Sequence, residues 1–390
     1  MNYGRRRYEC AEIEFSTFSA EGAKEIHLYV KPTPDNCFDN QLEGILDTLN
    51  SFIEENSINK KSVVFTRFFV SDYANQTNLI KSVKSFAGGA YNNCALSVVQ
   101  QPPLNGTKVI LWAYLVVDEK LSLDSGETET GFETILKRGD YEHIWSTHLI
   151  TSNGSTKSYD QTNNIFNNYN AKLQDKGLTI KDNCLRTWLF VKDVDFNYQG
   201  VVDARREFFE GMDMTKDTHF IASTGIEGRH ANPNINVLMD AYTVGGIQND
   251  QLRFLEAPEM LNSTHEYGVT FERGTSIDYG DRRHTFISGT ASIDKIGEVI
   301  HKRNISKQIT RTLENISALL ATAETEMKDI AQMIIYLRDI ADKEEVDTYF
   351  QSNYSDVPKV IVLAPVCRPE WLIEIECIAI KKIEKTYKNF

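Results

Sequence analysis

A chain of 390 residues, 41% hydrophobic and 25% charged, can bury an ample core, and its composition excludes disorder as the default. Its 55 acidic against 42 basic residues give a net charge of −13 with no basic stripe, which argues against a nucleic-acid partner. The opening MNYGRRRYECAEIEF has no apolar stretch behind its arginines, and no run approaches the ~18 apolar residues of a membrane span, so a cytoplasmic setting without membrane contact is expected.

In chain order, one pattern occurs three times. A glutamine opens an amphipathic helix, and a strand then ends in aspartate. The first occurrence runs from Gln41 (QLEGILDTLNSFIEEN) through VVFTRFFVSD to Asp72. The second runs from Gln161 (QTNNIFNNYNAKLQDKG) through LRTWLFVKD to Asp193, and the third from Gln308 (QITRTLENISALLATAE) through QMIIYLRD to Asp339. The separations are 31, 32 and 31 residues, a regularity that marks an internal repeat. In the third helix Ile309, Leu313, Ile316 and Leu320 form one apolar face. The strands are rich in β-branched and aromatic residues.

Hairpins are expected upstream of each helix, over 11–30, 141–152 and 282–293. A weaker helix follows each aspartate, such as YQGVVDARREFFEGM in the second copy. Two strands then close each copy, with Trp112, Asp240 and Glu376 at matching positions. Each unit therefore reads ββ-α-β-α-ββ, an α+β fold with a mixed sheet and helices on one face. The expected units are 1–120, 135–250 and 282–390, with 251–281 as a linker or lid. Sheets covered on one side must bury the other, so the three are expected to close around a shared axis as a pseudo-trimer within a single monomeric chain.

The pattern IEIE puts Glu374 and Glu376 on one face of an otherwise apolar strand, which is costly unless they are paired or functional. The matching residues of the other copies are Ile110 and Leu238, so Glu374 implies one site per chain. Glu376 reads as structural. Arg338, at the end of YLRD, and Arg186, inside the strand LRTW, are candidate anchors for a substrate carboxylate. In STGIEG, the Thr224 and Gly225 amides could hold a carboxylate. Tyr267 is a candidate lid over a ring, and Arg368 reads as a loop charge. Ser288 has no histidine or lysine at a helpful spacing, so no serine nucleophile is expected. The six cysteines lack a CxxC pair and the eight histidines lack HExxH or HxH spacing, so reduced thiols, no metal and no cofactor are expected.

FISGTASI (286–293), LENISALL, YLRD and CRPEWLIEIECIAI resemble the YjgF/Rid superfamily, whose chorismate-mutase-like members form trimers with sites between subunits. FISGTASI after a Tyr-Gly linker, and LRTWLFVKD followed by ASTGIEG, more closely resemble the chorismatases, over about 140–390. The first copy matches only in pattern. That resemblance implies a hydrolase cleaving the enolpyruvyl ether of chorismate or a related acid to release pyruvate, with Glu374 as general acid and base. Some chorismatases carry a product-directing cysteine eleven residues before that glutamate; here the position is Leu363, with Cys367 four residues on. The resemblance to shorter Rid proteins implies a 2-imino acid deaminase instead, but their site arginine would fall near Lys359. A non-catalytic binder of an aromatic carboxylate is the third reading.

The expected cleft for Glu374 lies against the second unit, which supplies STGIEG and Arg186. There Glu374 and Thr224–Gly225 are expected to line one pocket. Apolar or bulky side chains are expected to fill the other two clefts.

Overall fold

The computed structural model describes residues 1–35, 37–86, 94–151, 154–264 and 268–390. The first unit contains β1 (Asn2–Arg7), β2 (Ala11–Ala20), β3 (Ala23–Pro32), α1 (Phe38–Glu55), β4 (Val63–Val70), α2 (Leu79–Ser85), β5 (Ala95–Gln100) and β6 (Val109–Val117). The second contains β7 (Ser122–Thr128), β8 (Gly131–Arg138), β9 (Tyr141–Leu149), α3 (Ser158–Gln174), α4 (Ile180–Asn183), β10 (Cys184–Val191), α5 (Val194–Gly211), β11 (Ala222–Glu227) and β12 (Val237–Gly245). The third contains β13 (Leu252–Phe254), β14 (Gly274–Asp278), β15 (Arg282–Ala291), α6 (Ile305–Thr322), β16 (Ile330–Leu337), α7 (Lys343–Asn353), β17 (Lys359–Leu363) and β18 (Ile373–Lys382).

Each unit forms a six-stranded mixed sheet of one design. The orders are β1-β2-β3-β6-β4-β5, β11-β10-β12-β9-β8-β7 and β13-β14-β15-β18-β16-β17. One pair in each is parallel, β4 with β5, β10 with β11 and β16 with β17, and a helix crosses between its two strands. The repeat is therefore βββ-α-β-α-ββ, one strand longer than the sequence suggests. The opening hairpin expected over 11–30 is β2 with β3, but 141–152 and 282–293 each hold one strand, β9 and β15, whose hairpin partners β8 and β14 lie upstream. The further strands β1 and β7 are sheet edges with mostly exposed, polar residues and no apolar alternation. The expected linker over 251–281 itself contributes β13 and β14.

The three sheets close into the expected ring, and their uncovered faces meet on a common axis. Trp112, Trp145 and Trp188 pack there with centroids 6.2–6.3 Å apart. Polar clamps link each unit to its neighbours. Arg67 of the first unit reaches Asp240 of the second at 2.8 and 3.1 Å. Arg186 and Trp188 of the second reach Glu376 of the third at 2.7 and 2.6 Å. Back at the first unit, Tyr29 donates to the Gln332 side chain at 2.6 Å and Ser16 to the Ala331 carbonyl at 2.7 Å.

Burial holds His27, His143 and His148 neutral, with their pKa values lowered to about 3. In the unfolded chain they charge near their ordinary value of 6.5. Because the folded values are depressed, the stability these groups contribute is complete above pH 6.5 and is lost as pH falls below it. Denaturant unfolding followed between pH 7 and pH 5 should show a slope of about 1 kcal/mol per pH unit for each such histidine. His148→Phe should flatten the slope by the share of one histidine, about 1 kcal/mol per pH unit.

Candidate functional site

Between the second and third units lies a cavity of about 330 Å³, within the usual range for small-ligand sites. Strand β18 presents Glu374 to it, and β11 presents Thr224 and Gly225. The remaining walls include Tyr198, Val202 and Arg205 of α5, Phe271 and Arg273 before β14, Gly289 of β15, and Cys367, Arg368 and Trp371 before β18. Glu374 and Thr224–Gly225 thus share one pocket, facing the second unit.

The local geometry explains why the two wall strands approach so closely. Gly289 has no side chain, and a Cβ there would collide with Glu374 Oε1 and stand 3.1 Å from the Thr224 methyl. Its amide donates to Thr224 Oγ1 at 2.9 Å. Ser288 Oγ accepts from the Ser223 amide at 2.9 Å and donates to the Glu272 carbonyl at 2.6 Å, so this hydroxyl ties the units together.

Burial, then the neighbouring Glu376 carboxylate, raise the Glu374 pKa to about 8, with Arg186 and Arg273 opposing. At neutral pH Glu374 therefore carries its proton. Burial likewise pushes the Cys367 thiol up to about 12, so it lines the cavity as a neutral group. Leu363, by contrast, lies in a separate surface groove.

Several expected site residues lie elsewhere or act differently. Arg338 is not in the Glu374 cavity: it pairs with Asp195 and donates to the Val366 carbonyl, both at 2.5 Å, beside that separate groove. Arg186 is fully buried behind the cavity, bound to Glu376 and Thr224, so its charge is already engaged. Thr224 and Gly225 lie within strand β11, and the Thr224 hydroxyl is fixed between Glu376 and Gly289. Tyr267 falls outside the described residues.

The sequence reading missed Arg205 and Arg273. Both are buried at the cavity wall, 5.8 and 5.6 Å from the Phe271 ring on which they converge. Arg205 donates to Thr270 and Ser223, and Arg273 to the Asn262 carbonyl. Arg205 left a signal, because Val201, Arg205 and Phe208 follow helical spacing and place a charge on the buried face. Arg273 sits beside a glycine in an irregular stretch and left none.

Among the described residues, side chains pack across the other two junctions in different ways. At the first junction Tyr73 bonds His148 at 3.3 Å, with the His230 ring 4.9 Å from His148. At the third, Lys31 pairs with Glu14 at 2.6 Å and the Lys359 amine donates to two carbonyls, so charged groups stand where apolar or bulky side chains were expected.

The family described as Endoribonuclease L-PSP matches residues 278–381. The chain is 35% identical over 99 residues to a RutC family protein of Saccharolobus solfataricus, covering 25% of this chain and 78% of that protein. It is 27% identical over 96 residues to the 3-aminoacrylate deaminase RutC of Acinetobacter baylyi, covering 24% of this chain and 76% of that protein. The chain belongs to the RutC, or YjgF/Rid, family. Its full architecture is of the chorismatase type: a crystal structure of chorismatase matches with a TM-score of 0.63 and 17% identity, covering 82% of this chain and 93% of that one.

Proposed function

We propose that the chain is a chorismatase-like hydrolase that cleaves the enolpyruvyl ether of chorismate or a related cyclic acid and releases pyruvate. The observation carrying this reading is a carboxyl that keeps its proton at neutral pH, Glu374, at the wall of a cavity flanked by buried arginines. In an enol ether the methylene carbon is the basic atom. Glu374 would protonate it, water would add to the resulting cation, and the water proton would return to the Glu374 carboxylate. The hemiketal then collapses to pyruvate and a ring alcohol. Arg205 and Arg273 would bind the substrate carboxylates, in place of Arg338 and Arg186.

Purified protein incubated with chorismate should release pyruvate in a coupled assay. No release above background at micromolar enzyme would overturn the reading. Arg205→Lys and Arg273→Lys should each raise KM roughly 10- to 100-fold, because lysine cannot match a bidentate contact worth about 1.5–3 kcal/mol. An unchanged KM in both would remove them from the substrate site.

Loss of 2-iminopropanoate generated in the same assay, with chorismate untouched, would favour the deaminase. Against that activity, Lys359 lies where the Rid arginine would fall, and its amine is bound to the Tyr354 and Val357 carbonyls at the third junction. Thermal stabilisation by an aromatic carboxylate without turnover, and equally in Glu374→Gln, would favour a binder.

A further inference from the structure

Glu374 and Glu376 project from the same face of β18 two residues apart, yet their surroundings differ sharply. Glu376 accepts from Arg186 at 2.7 Å, from Thr224 Oγ1 at 2.5 Å and from Trp188 Nε1 at 2.6 Å. Among the described residues no hydrogen-bond donor reaches the Glu374 carboxyl. Three donors therefore clamp the Glu376 carboxylate in place, while the Glu374 carboxyl two residues away is held by none.

From this asymmetry we infer that Glu376 is a positioning residue for the acid: its carboxylate, clamped by Arg186, Thr224 and Trp188 on the same strand face, acts on Glu374 through charge. The inference rests on the reading of Glu374 as the acid and adds what sets its protonation. Of the three residues at this position in the repeat, Glu376 and Asp240 are clamped carboxylates and the other is Trp112. Only Glu376 stands beside a second carboxyl, since Leu238 and Ile110 occupy the Glu374 position elsewhere.

Around Glu374, Glu376 lies on the same strand, Tyr336 on β16 and Arg186 on β10, with Arg273 ahead of β14 and Cys367 and Arg368 ahead of β18. Thr224 on β11 is neutral and bonded to Glu376, and Arg205 on α5 lines the same cavity. Glu376 is the largest charge effect among those acting on Glu374 after burial, ahead of the two arginines that oppose it. Removing it should therefore shift the titration downward.

Infrared difference titration can read the Glu374 carboxyl without substrate, with the band identified by its disappearance in Glu374→Gln. Glu376→Gln should lower the Glu374 midpoint by about one pH unit or more. The high-pH limb of kcat/KM should fall with it. A purely structural role would change the melting temperature and leave the midpoint in place. If leaving Arg186 uncompensated prevents folding, the double variant Arg186→Met/Glu376→Gln removes the pair together. Its midpoint should shift in the same direction but by less, because the opposing arginine is gone too. An unchanged or raised midpoint in whichever variant folds overturns the inference. If chorismate is not a substrate but the band shifts as stated, the charge coupling stands and only the assigned reaction falls.

Discussion

Glu374→Gln should cut pyruvate release from chorismate by about 10²- to 10⁴-fold while leaving a protein that folds and binds. Glutamine keeps the shape of the protonated acid but has no proton to give to carbon. The same variant should be more stable at pH 8 than the parent. In the folded chain the Glu374 pKa is raised to about 8, against 4.5 for an ordinary glutamate. A raised value means that its contribution to stability is complete below pH 4.5 and is lost as pH rises toward 8. Glutamine has no such loss. The gain should be on the order of a few kcal/mol at about 1.4 kcal/mol per pKa unit. Denaturant unfolding at pH 5 and pH 8 reads it as a difference that grows with pH. A variant that loses activity and loses stability equally at both values would mean that Glu374 holds the cavity together rather than supplying a proton.

The second large effect lies on the axis. Asp240→Ala should cost about 3–5 kcal/mol, the usual loss when one partner of a buried ion pair is removed. Arg67 is fully buried over the rings of Phe65, Trp112, Trp188 and Phe190, and Asp240 is its partner carboxylate. The other Asp240 oxygen accepts the His148 amide at 2.7 Å, so truncation also strands that donor. The double variant Arg67→Met/Asp240→Leu should recover most of the loss, because an apolar pair of similar volume removes both charges. Chemical denaturation checks this pair of results. A loss below about 1 kcal/mol for Asp240→Ala would show that the clamp between the first two units is incidental to stability.

Much of the architecture was legible because it is repeated. The glutamine-to-aspartate spacing fixed three equivalent helices and strands, and Gln41, Gln161 and Gln308 turn out to do the same task. Each caps the loop before its unit's last strand, accepting from the Lys108, Asn236 and Leu372 amides at 2.7, 2.7 and 2.9 Å. The edge strands β1 and β7 were not legible, since an exposed edge needs no apolar alternation and its polar residues resemble a loop.

The site divided along similar lines. Glu374 stood out because a carboxylate in an apolar strand contradicts its surroundings, and comparison with Ile110 and Leu238 isolated it. Arg186 and Arg338 also looked anomalous in or beside strands, yet both were balancing carboxylates that lie distant in sequence. Glu376 is 190 residues from Arg186, and Asp195 is 143 from Arg338. No local pattern reveals such a partner. Arg205 carried the opposite lesson, because a charge on a buried helical face deserved the same suspicion as one in a strand.

The most direct test of the account is to locate a ligand in crystals of Glu374→Gln soaked with chorismate. The molecule should lie in the cavity between the second and third units, its enolpyruvyl group beside position 374 and its carboxylates on Arg205 and Arg273. Chorismate bound instead at the Arg338 groove, or seated in the cavity with its enolpyruvyl group turned away from position 374, would contradict it.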